Sequence, residues 1–279
     1  MIDSNNVDVS LLYKCFYSIG RPVVIPVCIS KGKSIIRVRI NDNDKFFDDI
    51  YELSYPPCGK SKLMRASLPG HPMFYGALYS GIPNPNHPYP RIITLYETSE
   101  LLSAPEFSGC QMVTYSKWTL KKDIYVFALP ISNNYMEYTY EAINIQKCWI
   151  DIKTNIAPTD AIISNFFGDL IAKDGTNSIY TVTANLINYI LNDKKMNYQG
   201  VVYPTRPLNG AGLNIAITPQ TVDDNCFLES AATNIFVKQN TNAELLRFAD
   251  ATWDSMGHIK WGIIEGRNRI LSNFRPNYT

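Results

Sequence analysis

Histidine is scarce in this chain and cysteine is never clustered. Three histidines (His71, His87, His258) lie far apart, and six cysteines occur singly with no Cys-x-x-Cys pair. The sequence therefore offers no zinc-ligand spacing. It also lacks an excess of charge: 26 Lys plus Arg stand against 25 Asp plus Glu, a net charge of +1. A charge so near zero creates no global field to recruit nucleic acid or an acidic membrane surface. No apolar run approaches the ~18 residues of a membrane helix, and Met1-Ile-Asp-Ser-Asn-Asn6 has no charged-then-apolar leader profile. These absences predict a cytoplasmic protein with reduced, mostly buried thiols, no direct nucleic-acid binding and no membrane partner. Internal repeats and low-complexity linkers are missing too. The 279 residues, 46% of them hydrophobic, are accordingly read as one domain, 1–279, with a full core.

What is present is a mixture of helical and strand periodicities. Val7 to Ile19 carries Leu11, Leu12, Cys15, Phe16 and Ile19 at helical spacing, with Gly20 and Pro22 as stop signals. After the apolar run Val23 to Ile29 and the basic turn Lys31-Gly-Lys33, Ser34-Ile-Ile-Arg-Val-Arg-Ile40 reads as a strand that places Arg37 and Arg39 on one face because they share parity. Met73 to Leu78 reads as a buried strand, and Gly81 to Pro90, with four prolines in ten residues, as an ordered rim or lid. Gln111–Trp118 and Asp123–Leu129 look like a strand pair joined by Lys121-Lys122. A helical block follows at about 135–195, comprising Tyr135 to Cys148, Asp160 to Ala172 and Ser178 to Leu191. Strands return at Gly200–Tyr203, Leu213–Ile217 and Asn234–Val237, before a helix over Asn242 to Met256 with Asn242 as N-cap.

The chemistry-bearing stretch is Leu63-Met-Arg-Ala-Ser-Leu-Pro-Gly-His-Pro-Met-Phe-Tyr-Gly-Ala-Leu78, continued by Ile93-Thr-Leu-Tyr-Glu-Thr98. Arg65 supplies a guanidinium fork for phosphate or carboxylate. Tyr75 offers a flat apolar face with a polar tip, and Glu97 a carboxylate able to stabilise developing positive charge. Taken singly, each also fits a surface arginine, a core strand aromatic and a solvated charge near a helix start. Later, Gly200-Val-Val-Tyr-Pro-Thr-Arg206 and Gly210-Ala-Gly-Leu-Asn-Ile-Ala-Ile217 form a strand, a hydroxyl-bearing turn and another strand. Such a turn presents backbone amides and the Thr205 hydroxyl to a phosphate or ribose, or is an ordinary hairpin connection.

In this order the pieces resemble the RES-domain family, named for its arginine, glutamate and serine. The matching features are Arg37-Val-Arg39, then Arg65 through Gly70 to Tyr75, then Glu97, then Gly200 to Thr205 and Asn214. They span roughly residues 34–219. Thr205 stands where the family has Ser, Ala66 where many members have a bulkier residue, and the loop before Glu97 is long. The resemblance implies an α/β fold of the α+β type: an ADP-ribosyltransferase-like split, mostly antiparallel sheet, here with an N-terminal helix and an inserted helical block. It implies consumption of NAD⁺ at the nicotinamide–ribose bond by phosphorolysis or hydrolysis, as the toxin of a toxin–antitoxin pair with a cognate antitoxin protein. ADP-ribosyl transfer to a protein or nucleic acid, and NAD or ADP-ribose binding without turnover, are the alternatives.

That chemistry suits these residues. Nicotinamide leaves NAD⁺ as a neutral amide, so no general acid is needed, and the ribose passes through an oxocarbenium-like state. Glu97 would stabilise that charge, Arg65 hold pyrophosphate or incoming phosphate, Tyr75 stack on nicotinamide and Thr205 orient a hydroxyl or phosphate. Arg37, Arg39, Arg206 and Asn214 are the further substrate-binding candidates. No metal and no cofactor beyond the substrate NAD⁺ and inorganic phosphate is expected, because the leaving group requires no Lewis acid.

Overall fold

The computed structural model describes residues 7–79, 89–103, 106–131, 140–173, 175–205, 208, 212–240 and 242–265. Arg206, residues 81–88 of the proline-rich segment and residues 135–139 of the expected first helix lie outside the described residues. The chain begins with helix α1 (Val9–Ile19), whose Asp8 cap accepts from the backbone N–H groups of Ser10 and Leu11. Strands β1 (Ile25–Ile29) and β2 (Ser34–Ile40) follow, then short 3₁₀ turns and β3 (Phe74–Tyr79). Next come helices α2 (Pro90–Thr98) and α3 (Glu100–Ser103) and strands β4 (Gly109–Leu120) and β5 (Ile124–Ala128). The helical block is α4 (Tyr140–Lys153), α5 (Pro158–Ile171) and α6 (Asn177–Leu191). Strands β6 (Gly200–Pro204) and β7 (Leu213–Ile217), helix α7 (Pro219–Asn225), and strands β8 (Cys226–Gln239), β9 (Asn242–Trp253) and β10 (Ile259–Ile263) complete the described elements.

The protein is thus mixed α/β, with one large sheet in the order β1-β5-β6-β7-β3-β2-β4-β8-β9-β10. All its pairings are antiparallel except β5 with β6. In that order β1 and β2 are five strands apart, and so are β5 and β4. A flat sheet would separate each pair by about 24 Å. Yet only Ser30–Lys33 joins β1 to β2, and only Lys121–Asp123 joins β4 to β5, reaches of at most about 17 and 14 Å. The sheet must therefore curl until β1 and β5 lie against β2 and β4. Bonds between the two connections hold the fold-over: Gly32 N–H donates to the Leu120 carbonyl at 2.9 Å and Lys31 N–H to Asp123 Oδ1 at 2.7 Å. Inside the curl, Trp118 shares one apolar cluster with Ile25, Phe74, Ile124 and Phe127. The same cluster takes in Phe16 of α1, Phe167 of α5 and Leu186 of α6, so the helices bury their apolar stripes on the sheet.

Three expectations are corrected. β4 and β5 are not a hairpin pair: β4 pairs with β2 and β8, and β5 with β1 and β6. Alternation revealed the strands but not their partners, which the curl selects. The segment expected as a helix from Asn242 is β9, paired antiparallel to β8 from Gln239↔Asn242 to Ala232↔Asp250. Its Ala-Glu-Leu-Leu-Arg run suits a helix, but Asn240 with φ +55° reverses the chain beside a long strand, and pairing on both sides outweighs propensity. The thiols are mostly not buried: Cys15, Cys28, Cys58 and Cys148 are exposed and Cys226 is buried, all of them free. Among the described residues, no helix is long and apolar enough to cross a membrane.

Helix α5 comes so close to the end of β5 that a Cβ on Gly168 would lie 1.6 Å from the Pro130 carbonyl oxygen. An ordinary mid-helix Gly→Ala gains about 0.5–1 kcal/mol. Gly168→Ala is expected to reverse that sign and lose at least ~1–3 kcal/mol by forcing the backbones apart. Urea unfolding checks it; a midpoint at or above that of the native protein contradicts the close approach.

Candidate functional site

Helix α2 begins with Pro90 in its first turn and is capped at its C-terminal end by Ser99. Its two ends are tied to β4: the Tyr115 hydroxyl donates to the Arg91 carbonyl at 3.2 Å, and the Ser99 hydroxyl to Gln111 Oε1 at 2.7 Å. Between them Leu95 packs into a cluster with Ile36, Val38, Val113, Tyr115 and Phe236. These contacts set the helix rotation, and with it the direction of Glu97 in the last turn. Gly212 permits the approach on the other flank, since a Cβ there would lie 2.3 Å from Ile93 Cδ1.

Glu97 meets two of the expected residues. Thr205 Oγ1 and Asn214 Nδ2 both donate to Glu97 Oε1 at 2.7 Å. Thr205 is 1% exposed and Asn214 4%, whereas Glu97 is exposed. Two buried donors thus grip one oxygen of a carboxylate that faces outward. The placement opposes the helix: an anion at the C-terminal end meets the negative pole of the macrodipole, at a cost of about 0.3–1 kcal/mol. Two hydrogen bonds to a charged acceptor, each contributing ~1.5–3 kcal/mol, offset it. Thr205 is itself fixed by its N–H, which donates to the Gly212 carbonyl at 2.9 Å and prolongs the β6–β7 ladder. Its methyl lies beside Gly212, so threonine supplies the hydroxyl there without a clash.

The neighbouring strands add three more groups. Register pairs Tyr203 with Asn214 and Val201 with Ala216 across β6–β7, and Asn214 with Ala77 and Ala216 with Tyr75 across β3–β7. Tyr203, Asn214 and Tyr75 therefore share one sheet face. Tyr75 is partly buried, and its hydroxyl is engaged: it accepts from Ala66 N–H at 3.0 Å and shares a 2.8 Å bond with Ser67 Oγ. It clamps the turn that carries Arg65. Arg65, 8% exposed, donates through Nη1 to the carbonyls of Ile171 and Lys173 at the end of α5. Its guanidinium lies over the rings of Tyr180 and Tyr203, at 5.7 and 5.5 Å. Arg65 is thus built into the wall, holding α5, α6 and β6 together, rather than projecting as an open fork.

Burial holds the Tyr75 hydroxyl up at about 12, against the opposing pull of its bonds to Ser67 and Ala66 and of Arg65 and Arg37. Burial, with Tyr75 and Glu97 nearby, pushes Tyr203 well above the ordinary tyrosine value, while Arg65 pulls the other way. Tyr203 and Tyr180 were not singled out from the sequence. Tyr203 stands inside the Gly200-to-Thr205 segment, which was the available signal; a tyrosine on a helix, such as Tyr180, carries none.

Arg37 and Arg39 do not join this group. Ile36 pairs with Ala77, so Arg37 and Arg39 point to the opposite face from Tyr75 and Asn214. There Arg37 lies over Phe74 at 5.4 Å and donates to the Tyr75 carbonyl at 2.8 Å, with its buried Nε unpartnered. Burial and then Arg39 lower it to about 10. Arg39 lies over Phe47 at 4.9 Å and donates to the Glu52 carbonyl. Among the described residues there is no group of three His, Cys, Asp or Glu side chains that could hold a metal ion.

Two outcomes test this wall. Arg65→Lys keeps the charge but cannot serve two carbonyls from a planar group between two rings, and is expected to lose ~1.5–3 kcal/mol in denaturant unfolding; an unchanged midpoint contradicts the wall role. Alkali gives the second. The folded values of Tyr75 and Tyr203 lie above the unfolded value of 10.0, so above that pH the unfolded chain loses protons that the folded chain keeps. Stability is full below about pH 10 and falls toward pH 12, at up to ~1.4 kcal/mol per pH unit for each tyrosine. Tyr203→Phe flattens the decline; a pH-independent midpoint from pH 9 to 11.5 overturns the assignment.

No protein-family model matches the chain and no curated protein sequence matches it, so a functional reading rests on the geometry of this site and on the motif order.

Proposed function

We propose that the protein is an NAD⁺-consuming enzyme of the RES-domain type, with an ADP-ribosyltransferase-like split sheet, that cleaves the nicotinamide–ribose bond. The observation that carries the reading is Glu97: an exposed carboxylate, placed against its own helix dipole and locked through one oxygen by Thr205 and Asn214. A carboxylate held so firmly in a position that local helix energetics disfavour is suited to facing positive charge. In the proposed reaction the ribose–nitrogen bond breaks with its electron pair going to the pyridinium nitrogen, which becomes neutral. Positive charge develops on the ribose beside Glu97, and an oxygen of water or phosphate forms the new bond, the proton of water passing to solvent. Preorganisation matters because Glu97 need not reorient as the charge appears.

Thr205 and Asn214 act as positioning residues for Glu97. Arg65, Tyr180 and Tyr203 form the adjoining wall, and Tyr75 holds the Arg65 turn. Growth inhibition by NAD⁺ depletion, restrained by a cognate antitoxin protein, is the biological role that goes with this chemistry.

Mass spectrometry of NAD⁺ incubated with purified protein, with and without phosphate, distinguishes the products. Nicotinamide with ADP-ribose indicates hydrolysis, and ADP-ribose-1″-phosphate indicates phosphorolysis; a labelled macromolecule indicates transfer, and intact NAD⁺ overturns the reading. Glu97→Gln keeps an acceptor oxygen for Thr205 and Asn214. It is expected to shift stability by less than about 1 kcal/mol, to retain NAD⁺ binding, and to slow nicotinamide release about a hundredfold or more. Native turnover in that variant removes Glu97 from the mechanism.

A further inference from the structure

We propose a second, separate binding site on the far flank of α2 for a tetrahedral oxyanion of the phosphate class. Arg91 and Glu97 are six positions apart, a rise of about 9 Å and a rotation that leaves them roughly 120° apart around the helix. Glu97 thus faces β6 and β7 while Arg91 faces β4 and β8. Beneath Arg91 is a cavity of ≈ 30 Å³ lined by Arg91, Tyr115, Lys117, Ser230 and Arg247 among others. Register explains the convergence. Ile36 pairs with Lys117, Tyr115 with Ala232, and Lys117 with Ser230, so these side chains share the sheet face on which α2 lies.

Three cations border the cavity and none of its lining residues is acidic. Lys117 bonds Glu229 at 2.6 Å and Arg247 bonds Asp250 at 2.6 Å, both acids lying outside the lining. Arg91 has no carboxylate partner among the described residues. Its guanidinium lies over the Tyr115 ring at 5.6 Å, which orients the plane and leaves its N–H edge free to fork onto oxygen. Arg91 also belongs to the first turn of α2, where the macrodipole is positive.

The lining selects the ligand. Three cations and the Ser230 hydroxyl, with no acidic side chain among the lining residues, suit the oxygens of one phosphate. The ligand is therefore inorganic phosphate or the terminal phosphate of a small phosphomonoester.

The test is calorimetric titration, at low ionic strength, of native protein with inorganic phosphate and with glycerol phosphate. The tighter of the two identifies the source. Arg91→Gln and Arg247→Gln are each expected to weaken binding at least about tenfold, with thermal midpoints unchanged because both side chains are exposed. Arg91→Lys, which keeps charge but loses the flat stack, is expected to fall between. Glu97→Gln is expected to retain the binding event. Equal affinity in native and Arg91→Gln proteins, or no binding of either compound at 10 mM, overturns the site. Failure of NAD⁺ turnover leaves this result untouched, because binding is read directly and the variants lie away from Glu97.

Discussion

Two short connections govern this molecule. Because Ser30–Lys33 and Lys121–Asp123 must bridge strands that stand five places apart in the sheet, the sheet has no flat solution and closes over an apolar interior. That interior joins Trp118 and Phe74 to Ile25, Ile124 and Phe127. The helices then settle on surfaces that the curl has created. Gly168 against Pro130 and Gly200 against Ala216 mark places where backbone approaches so closely that a side chain is excluded.

The same closure determines what β6, β7 and β3 can present. Their neighbouring register places Tyr203, Asn214 and Tyr75 side by side, and α2 brings Glu97 to Asn214 and Thr205. The energetics are unevenly divided. Arg65 and Tyr75 are committed to a wall: the Arg65 guanidinium donates to the carbonyls of Ile171 and Lys173 and lies over the Tyr180 and Tyr203 rings, and the Tyr75 hydroxyl bonds Ala66 N–H and Ser67. Glu97 is held just as firmly, yet it faces outward and opposes its helix dipole. Structural economy accounts for the wall. It does not account for Glu97, and the proposed chemistry rests on that contrast.

Much of the architecture was legible in the residues. The alternation of Ser34–Ile40 gave β2, the stop at Gly20 and Pro22 ended α1, and Pro158 opened α5. Of the site, Glu97, Thr205 and Asn214 were named from motif order, and they meet. Arg37 and Arg39 enter the candidate set through the Arg-Val-Arg motif, and parity shows that the two share a face without showing which face it is; register places it opposite Tyr75 and Asn214. Arg65 was read as a ligand fork because its sequence neighbours are a polar turn. The carbonyls of Ile171 and Lys173 that occupy it are more than a hundred residues away and leave no local trace.

What the sequence determined by itself is therefore periodicity, punctuation and the supply of chemical groups, since each depends on residues within a few positions of one another. Pairing partners, the faces on which side chains lie, and the strand at Asn242–Trp253 were decided only by tertiary structure. The physical reason is the same in each case: hydrogen bonds between distant strands and burial inside a curled sheet outweigh the tenths of a kcal/mol per residue in which local propensity is expressed.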